Sequence, residues 1–213
     1  PFAIEVKGQP LPMHEPRYKF ALGLGYALSP TGADHVHNIH DTAFTTEVGL
    51  QGVQAFGVLE PLPKDDLSPA KVRLYRYYTD FSILKNMLGM CLFLPYSPTM
   101  TTDIVRAVTG WDTSLFELMK AAERGLAMAR AFNAREGFTA KDDYLPDRFF
   151  EPFTAGPLQG VAQKRHEFRA ALETYYRMAG WDPITAAPTR TCYQDLDLEW
   201  VAEDLARHDA VTG

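Results

Sequence analysis

The fold class is decided by residues 112–136, DTSLFELMKAAERGLAMARAFNARE. Ser114 and Glu117 have the spacing of a capping box, in which each side chain bonds to the other residue's backbone N–H. Apolar residues then recur every three or four positions, the period of one helix face, at Leu115, Leu118, Met119, Ala122, Leu126, Ala129 and Phe132. Gly137 stops the pattern, and we predict a long amphipathic helix that ends near Glu136.

Helical patterns recur on both sides of this stretch, whereas strand patterns are nearly absent. Three of these helices are predicted over residues 18–28, 164–178 and 198–207. A fourth is opened by Ser68 and Pro69. A fifth, short helix is capped by Thr101 or Thr102, runs through Val108 and stops at Gly110. The proline-rich residues 1–17 are predicted to be extended chain. Residues 33–66 are predicted to be irregular, and irregular segments of that length tend to be functional. We therefore predict an all-α protein of irregular helical domains.

Composition excludes several classes of function. The 213 residues are 46% hydrophobic, so a substantial core is expected. The net charge of −6 argues against nucleic acid or an anionic membrane as a partner. No apolar run reaches the roughly 18 residues of a transmembrane helix, and no signal peptide opens the chain. Two cysteines 101 positions apart do not resemble a secreted disulfide scaffold, so a reducing cytoplasm is expected.

Cys91 is the first residue that could carry chemistry. It follows Gly89 and Met90 at the end of an apolar helical pattern. It is either a free cysteine packed as a small hydrophobic side chain or a metal-ligating thiolate. An iron–sulfur cluster takes about four thiolates, and the chain has only Cys91 and Cys192, the latter in a polar stretch. A cluster would therefore need ligands from outside these residues, and with Pro1 as the first residue we expect the C-terminal part of a larger enzyme.

Histidines are dense between Asp34 and Asp41, where His35, His37 and His40 lie within six positions. The spacing is not that of a specific zinc motif. One histidine could exchange protons near neutral pH, three could hold a single metal ion, or all could only make hydrogen bonds in a surface loop. Farther along, the predicted long helix carries three arginines, at Arg124, Arg130 and Arg135. They could clamp an anion, but charged residues on a long helix usually form a solvated face.

Several segments, in this order, make the chain similar to the C-terminal half of the tungsten-containing aldehyde ferredoxin oxidoreductases. They are Glu5-Val-Lys-Gly8, Gly23-Leu-Gly-Tyr-Ala27, Ser29-Pro-Thr-Gly-Ala-Asp-His35, Leu88-Gly-Met-Cys91, Ala131-Phe-Asn-Ala-Arg-Glu-Gly-Phe138, Leu145-Pro-Asp-Arg-Phe-Phe150 and Tyr175-Tyr-Arg-Met-Ala-Gly-Trp-Asp182. The resemblance implies two helical regions, residues 1–66 from the end of the middle domain and residues 67–213 as the C-terminal domain.

The resemblance also implies an activity and its cofactors. Members of the family oxidise aldehydes to carboxylic acids and pass the electrons through a [4Fe–4S] cluster to ferredoxin. A tungsten (or molybdenum) bis-pterin and the cluster are held mainly by an N-terminal part that would be missing here. The chain alone is therefore expected to be catalytically silent, and a homo-oligomer is compatible with this reading. The alternative is a non-catalytic helical interaction module in which Cys91 is structural.

The resemblance also assigns site residues, by matching positions of this sequence to those of the family. Cys91 matches the fourth cluster ligand, and Asn86, Gly89 and Met90 match residues at the cofactor. The family usually has aspartate where this chain has Asn86, so the contact to a pterin ring would lose its charge and roughly half its strength. His35 is similar to a histidine that approaches the active site, and it is the predicted catalytic residue.

Overall fold

The structure, a computed structural model, describes residues 3–212, with side chains described through residue 208. Within these residues it has eight α-helices and one small sheet. The helices are α1 Phe20–Leu28, α2 Glu47–Leu50, α3 Pro69–Met87, α4 Pro98–Thr109, α5 Leu115–Arg135, α6 Arg165–Ala179, α7 Arg190–Asp195 and α8 Glu199–Thr212. The sheet is an antiparallel pair, β1 Glu5–Val6 and β2 Gln9–Pro10, with Val6 opposite Gln9. The all-α prediction is confirmed.

The backbone contacts group into two compact units. The first unit contains the chain up to Thr79 together with Lys141–Tyr175, and the second contains Asp80–Ala140 and the chain from Tyr176 onward. The division of the family domains at residue 66 is a separate matter and stays a prediction. No helix among the described residues is long and apolar enough to cross a membrane.

Helix α1 is the centre of the first unit, and all nine of its residues are buried. Its free N-terminal N–H groups therefore need partners from elsewhere in the protein. The Asp41 carboxylate accepts from the backbone N–H groups of Ala21 at 3.2 Å and Leu22 at 3.0 Å. The Lys71 ammonium lies 3.1 Å from the same carboxylate, and both side chains are 0% exposed. The N-terminus of α1 is thus capped by the buried Asp41 carboxylate, which comes from a loop distant in sequence.

The second unit contains the long helix that the sequence predicts. Ser114 caps α5, and Glu117 completes a capping box. The expectation of a solvated arginine face was wrong for Arg130, which is 1% exposed. Its Nε donates to the Ala186 carbonyl at 2.7 Å, and its guanidinium lies 5.3 Å from the Trp181 ring. These contacts compensate the burial of the charge.

Three local features differ from the sequence predictions. Helix α4 begins at Pro98 rather than at Thr101 or Thr102, because the Ser97 hydroxyl accepts from the Met100 N–H at 3.1 Å. The proline-rich start of the chain includes the pair β1 and β2 as well as extended residues. Short helices also interrupt the irregular segment, namely α2 and the 3₁₀ turns Asp41–Phe44 and Gln54–Phe56.

Candidate functional site

The turn that carries His35 is held by Asp34. The Asp34 carboxylate accepts from the backbone N–H of Val36 at 2.8 Å and of His37 at 3.2 Å. It also lies 2.5 Å from Nδ1 of the His37 ring. Burial opposes ionisation of Asp34, but the bonds from His37 and Val36 outweigh it and lower its pKa to about 2. Ionised Asp34 therefore fixes the two backbone N–H groups that follow His35.

This network gives a pH-dependent contribution to stability. Because the pKa of Asp34 falls from 3.8 in the unfolded chain to about 2 in the folded one, the contribution is complete above pH 3.8 and is lost as the pH falls through 2. Asp34→Asn should therefore flatten the fall in the free energy of unfolding between pH 5 and pH 2, measured by urea titration. Asp103→Asn, at an exposed position on α4, is the control; equal flattening in both variants would contradict the assignment.

A second anchor joins the same segment to α1. The Asn38 side chain donates to the carbonyls of Leu22 at 2.9 Å and Asp34 at 3.2 Å. It lies directly against Gly25 of α1, where an added Cβ would stand 1.8 Å from the Asn38 Oδ1. A side chain at position 25 would therefore displace Asn38 and the histidine segment with it.

We expect Gly25→Ala to lower the free energy of unfolding by about 1–3 kcal/mol, the usual cost of overpacking a filled core. The measurement is urea unfolding of the chain. Gly52→Ala is the matched control, because a Cβ there meets nothing within 4 Å and the change should stay below about 1 kcal/mol. Equal effects of the two substitutions would show that Asn38 does not pack on Gly25.

His14 packs against His35 and His40, a contact that the sequence does not predict. The ring of His14 lies 4.8 Å from the rings of both His35 and His40, and the rings of His35 and His40 are 6.3 Å apart. The Lys19 ammonium is 3.0 Å from Nδ1 of His40. We call His14, His35, His40 and Lys19 the histidine cluster. No local pattern points to His14, which stands 21 positions before His35 in a proline-rich segment.

Two rings of the histidine cluster have lowered pKa values. Burial lowers the pKa of His14, and Lys19 and His35 lower it further. Burial and Lys19 likewise lower the pKa of His40. Among the described residues no three His, Cys, Asp or Glu side chains are grouped closely enough to hold a metal ion. The alternative of a metal held by His35, His37 and His40 therefore gains no support.

A cavity of about 340 Å³ lies beside His14 in the first unit. Residues 11–17 form much of its wall, and the polar groups of His14, Glu15, Arg17 and Arg148 line it. Arg17 is held by both oxygens of Glu15 and lies 3.4 Å from the Phe153 ring. The cavity has the size of a small-molecule site and borders the histidine cluster at His14.

Cys91 lies in the second unit, immediately after the end of α3. The N–H of Gly89 bonds to the Asn86 carbonyl at 3.0 Å, and the N–H of Met90 bonds to the Lys85 carbonyl at 2.8 Å. Together with the left-handed backbone of Gly89, at φ 68°, these bonds form a Schellman motif. Gly89 and Met90 are therefore the last two residues of the helix stop, and Cys91 directly follows them.

The two cysteines lie in different environments. Cys91 is exposed, as are Asn86 and Gly89, whereas Met90 is half-buried. Cys192 is buried, and its Sγ lies 3.5 Å from the Ala179 carbonyl. The interpretation of Cys91 as a packed hydrophobic side chain is wrong within the described structure, while it describes Cys192 well. Cys91 is the thiol that an external partner can reach.

The chain is similar to known proteins over most of its length. A family model described as aldehyde ferredoxin oxidoreductase, domains 2 & 3, matches residues 1–198. The tungsten-containing aldehyde ferredoxin oxidoreductase of Thermococcus kodakarensis is 32% identical over 184 residues, which are 84% of this chain and 28% of that protein. The enzyme of the same name from Pyrococcus furiosus is 30% identical over 183 residues, again 84% of this chain and 28% of that protein. The chain thus spans somewhat more than a quarter of the length of these relatives.

One solved structure shares the fold. It is described as the active site complex BamBC of benzoyl coenzyme A reductase in complex with 1,5 dienoyl-CoA. The TM-score is 0.63 at 18% identity, over 95% of this chain and 33% of that chain. The likeness concerns the fold alone. The family model, in contrast, covers nearly every residue, and this chain therefore belongs to the aldehyde ferredoxin oxidoreductase family and matches the model of its domains 2 and 3.

Proposed function

We propose that this chain is the C-terminal helical part of an oxidoreductase that oxidises aldehydes to carboxylic acids with ferredoxin as the electron acceptor. The observation that carries the proposal is the exposed Cys91 thiol directly after the helix stop at Gly89 and Met90. The printed names of the relatives, tungsten-containing aldehyde ferredoxin oxidoreductases, supply the activity and the metal. The remaining cofactor-binding residues would come from an N-terminal part of the same enzyme.

The donor set of this chain fits one corner of an iron–sulfur cluster. A cluster iron takes a cysteine thiolate, and Cys91 offers one on a backbone fixed by two hydrogen bonds. The Lys85 ammonium lies near enough to interact electrostatically with Cys91 and would offset part of a thiolate's charge. When bound, the [4Fe–4S] cluster would supply one-electron transfer, and Cys91 would hold it from the C-terminal side.

Asn86, Gly89 and Met90 are proposed to meet the bis-pterin that carries tungsten or molybdenum. Asn86 is exposed on the last turn of α3, and its amide can both donate and accept hydrogen bonds. Gly89 presents backbone without a side chain, and an added Cβ would meet nothing within 4 Å. This short stretch thus offers neutral hydrogen-bonding groups to a polar ring.

His35 is proposed to exchange a proton with the substrate. Oxidation of an aldehyde to a carboxylic acid adds an oxygen from water and releases two electrons and two protons, so a proton acceptor must stand near the reacting carbon. An imidazole suits that role near neutral pH. His35 is half-buried on the turn that Asp34 holds, and its ring packs against that of His14, which lines the small-molecule cavity.

The first experiment is to read the gene upstream of the codon for Pro1. A Cys-x-x-Cys-x-x-x-Cys motif in the same reading frame would supply the other three cluster ligands and support the proposal. A start codon beside Pro1 with no such motif nearby would contradict it and favour the non-catalytic interaction module. Turnover of an aldehyde by the 213 residues alone would also contradict it. A cytoplasmic location belongs to the same proposal.

We expect His35→Ala in the whole enzyme to lower kcat by about 100-fold, the lower range for loss of a general acid or base. The rate should be measured from pH 5 to pH 9, since loss of a proton acceptor also changes the shape of the profile. His166→Ala is the control, because the His166 side chain on α6 is 81% exposed. A His35→Ala enzyme with the wild-type rate over this range would refute the role.

A further inference from the structure

We propose that Lys19 and His40 are positioning residues for His35: Lys19 fixes the hydrogen-bonding state of the His40 ring, and His40 holds the backbone of His35 while His14 packs against its side chain. The inference rests on the proposed function, in which His35 exchanges a proton with the substrate. It gives positioning roles to His14 and Lys19, which neither the sequence pattern nor the family resemblance singled out, and a defined role to His40.

The contact between Lys19 and His40 has a defined direction. An ammonium group can only donate hydrogen bonds, and Nζ of Lys19 lies 3.0 Å from Nδ1 of His40. Nδ1 must therefore be the acceptor, and the ring proton of His40 must be on Nε2. Lysine thus selects one of the two neutral tautomers of His40, in the way that a hydrogen bond at one ring nitrogen decides what the other can do.

The second contact joins His40 to His35. The His40 ring interacts with the backbone of His35, and the two imidazole rings are 6.3 Å apart. Since Nδ1 accepts from Lys19, Nε2–H is the ring donor that remains for the His35 carbonyl. The contacts thus connect the Lys19 ammonium through the His40 ring to His35, while the Asp34 carboxylate holds the next two backbone N–H groups.

His14 completes the enclosure of His35. Its ring is tilted by 38° to that of His35 at 4.8 Å and stands nearly edge-on to His40 at 76°. Three imidazoles at these distances repel one another when more than one is charged. Burial and the Lys19 charge lower the pKa of both His14 and His40. The His14 ring thus lies against both His35 and His40 and connects the two rings within the cluster.

The network can be tested on the chain itself by NMR with ¹⁵N-labelled histidine. In the wild type, His40 should be the Nε2–H tautomer at neutral pH. In Lys19→Met, that tautomer preference should be lost, the His40 titration midpoint should rise by about one pH unit on removal of a neighbouring charge, and the His35 resonances should shift. Lys19→Arg keeps a donor and should restore the His40 tautomer.

Lys64→Met is the matched control, because Lys64 belongs to the same unit but contacts the Tyr18 ring rather than a histidine. It should leave all histidine resonances in place. A His40 ring protonated on Nδ1, or a Lys19→Met chain with unchanged His40 titration and His35 resonances, would overturn the proposal.

Activity gives the second readout. In the whole enzyme, His40→Gln and Lys19→Met should lower kcat by about 10-fold or more, the scale of loss for groups that orient a functional ligand, and should alter the pH profile. Lys19→Arg should recover most of the rate. A wild-type enzyme without aldehyde oxidation would contradict the proposed function and leave the NMR result as the test of the network, so the two failures are distinct. Full activity with normal pH dependence in Lys19→Met would overturn the positioning role.

Discussion

Cys91→Ala in the whole oxidoreductase is expected to impair the cluster and nearly abolish aldehyde oxidation. Losing the outer partner of a metal ligand already costs about 10- to 100-fold in affinity or activity, and losing the ligand itself should cost at least as much. The iron content per chain, the visible absorption of the cluster and the rate of electron transfer to ferredoxin measure the effect. Within this chain the other cysteine, Cys192, cannot take over, because it is buried among other residues of the second unit.

Cys192→Ala is the matched control for that experiment. It removes a buried thiol that packs close to Gly180, where an added Cβ would be 3.1 Å from the Cys192 Cβ. This variant should lose some thermal stability but keep its iron and its rate. Unchanged iron and unchanged activity in Cys91→Ala would reject Cys91 as a ligand, and loss of iron in both variants would reject its special role.

Lys71→Met should lower the free energy of unfolding by about 3–5 kcal/mol, because it leaves the buried Asp41 carboxylate without its cation. Burial raises the pKa of Asp41, while Lys71 and the N–H groups of α1 act in the opposite direction. Removing Lys71 should thus favour a protonated Asp41, which accepts less strongly from α1. Urea unfolding and the exchange rates of the Ala21 and Leu22 amides measure both consequences.

The surface pair of Lys164 and Glu167 provides the comparison. Its atoms are 2.7 Å apart, but the lysine side chain is 66% exposed, so Lys164→Met should cost at most about 1 kcal/mol. Replacing both Asp41 and Lys71 by apolar residues should not restore stability, because two N–H groups of α1 would then be buried without acceptors, at about 1–3 kcal/mol each. Recovery of wild-type stability in that double variant would show that Asp41 does not cap α1.

The helices could be predicted from sequence because their signals are local. Ser114 and Glu117 stand within one turn of each other, and both bonds of the capping box form as the pattern requires. Likewise Gly110 and Gly137 stop their helices through a left-handed backbone. Such signals depend on neighbours three or four positions away, so they survive without knowledge of the fold. The start of α4 was missed because Ser97 and Pro98 followed another proline, and we interpreted them as a break.

The candidate site was only partly predictable because its contacts join distant parts of the chain. The sequence singled out His35 and Cys91 as candidates, and the resemblance assigned them roles that spacing cannot supply. His14 and Lys19 reach the cluster only after α1 and the segment from Asp34 to Asp41 have packed together. The burial of Arg130 could not be predicted for the same reason, since its hydrogen-bond acceptor, the Ala186 carbonyl, lies 56 positions away. A helical-wheel argument assigns a face, but it does not show what will cover that face.

The unequal burial of the two cysteines makes this chain a reporter of its own assembly. In the bare chain, a thiol-modifying reagent should label Cys91 quickly, and Cys192 only as fast as its surroundings open. One rapidly labelled group per chain is therefore expected at the start. As iron and the remaining cluster ligands are added, the rapidly labelled fraction should fall toward zero, so incorporation can be followed by mass spectrometry without any assay of catalysis.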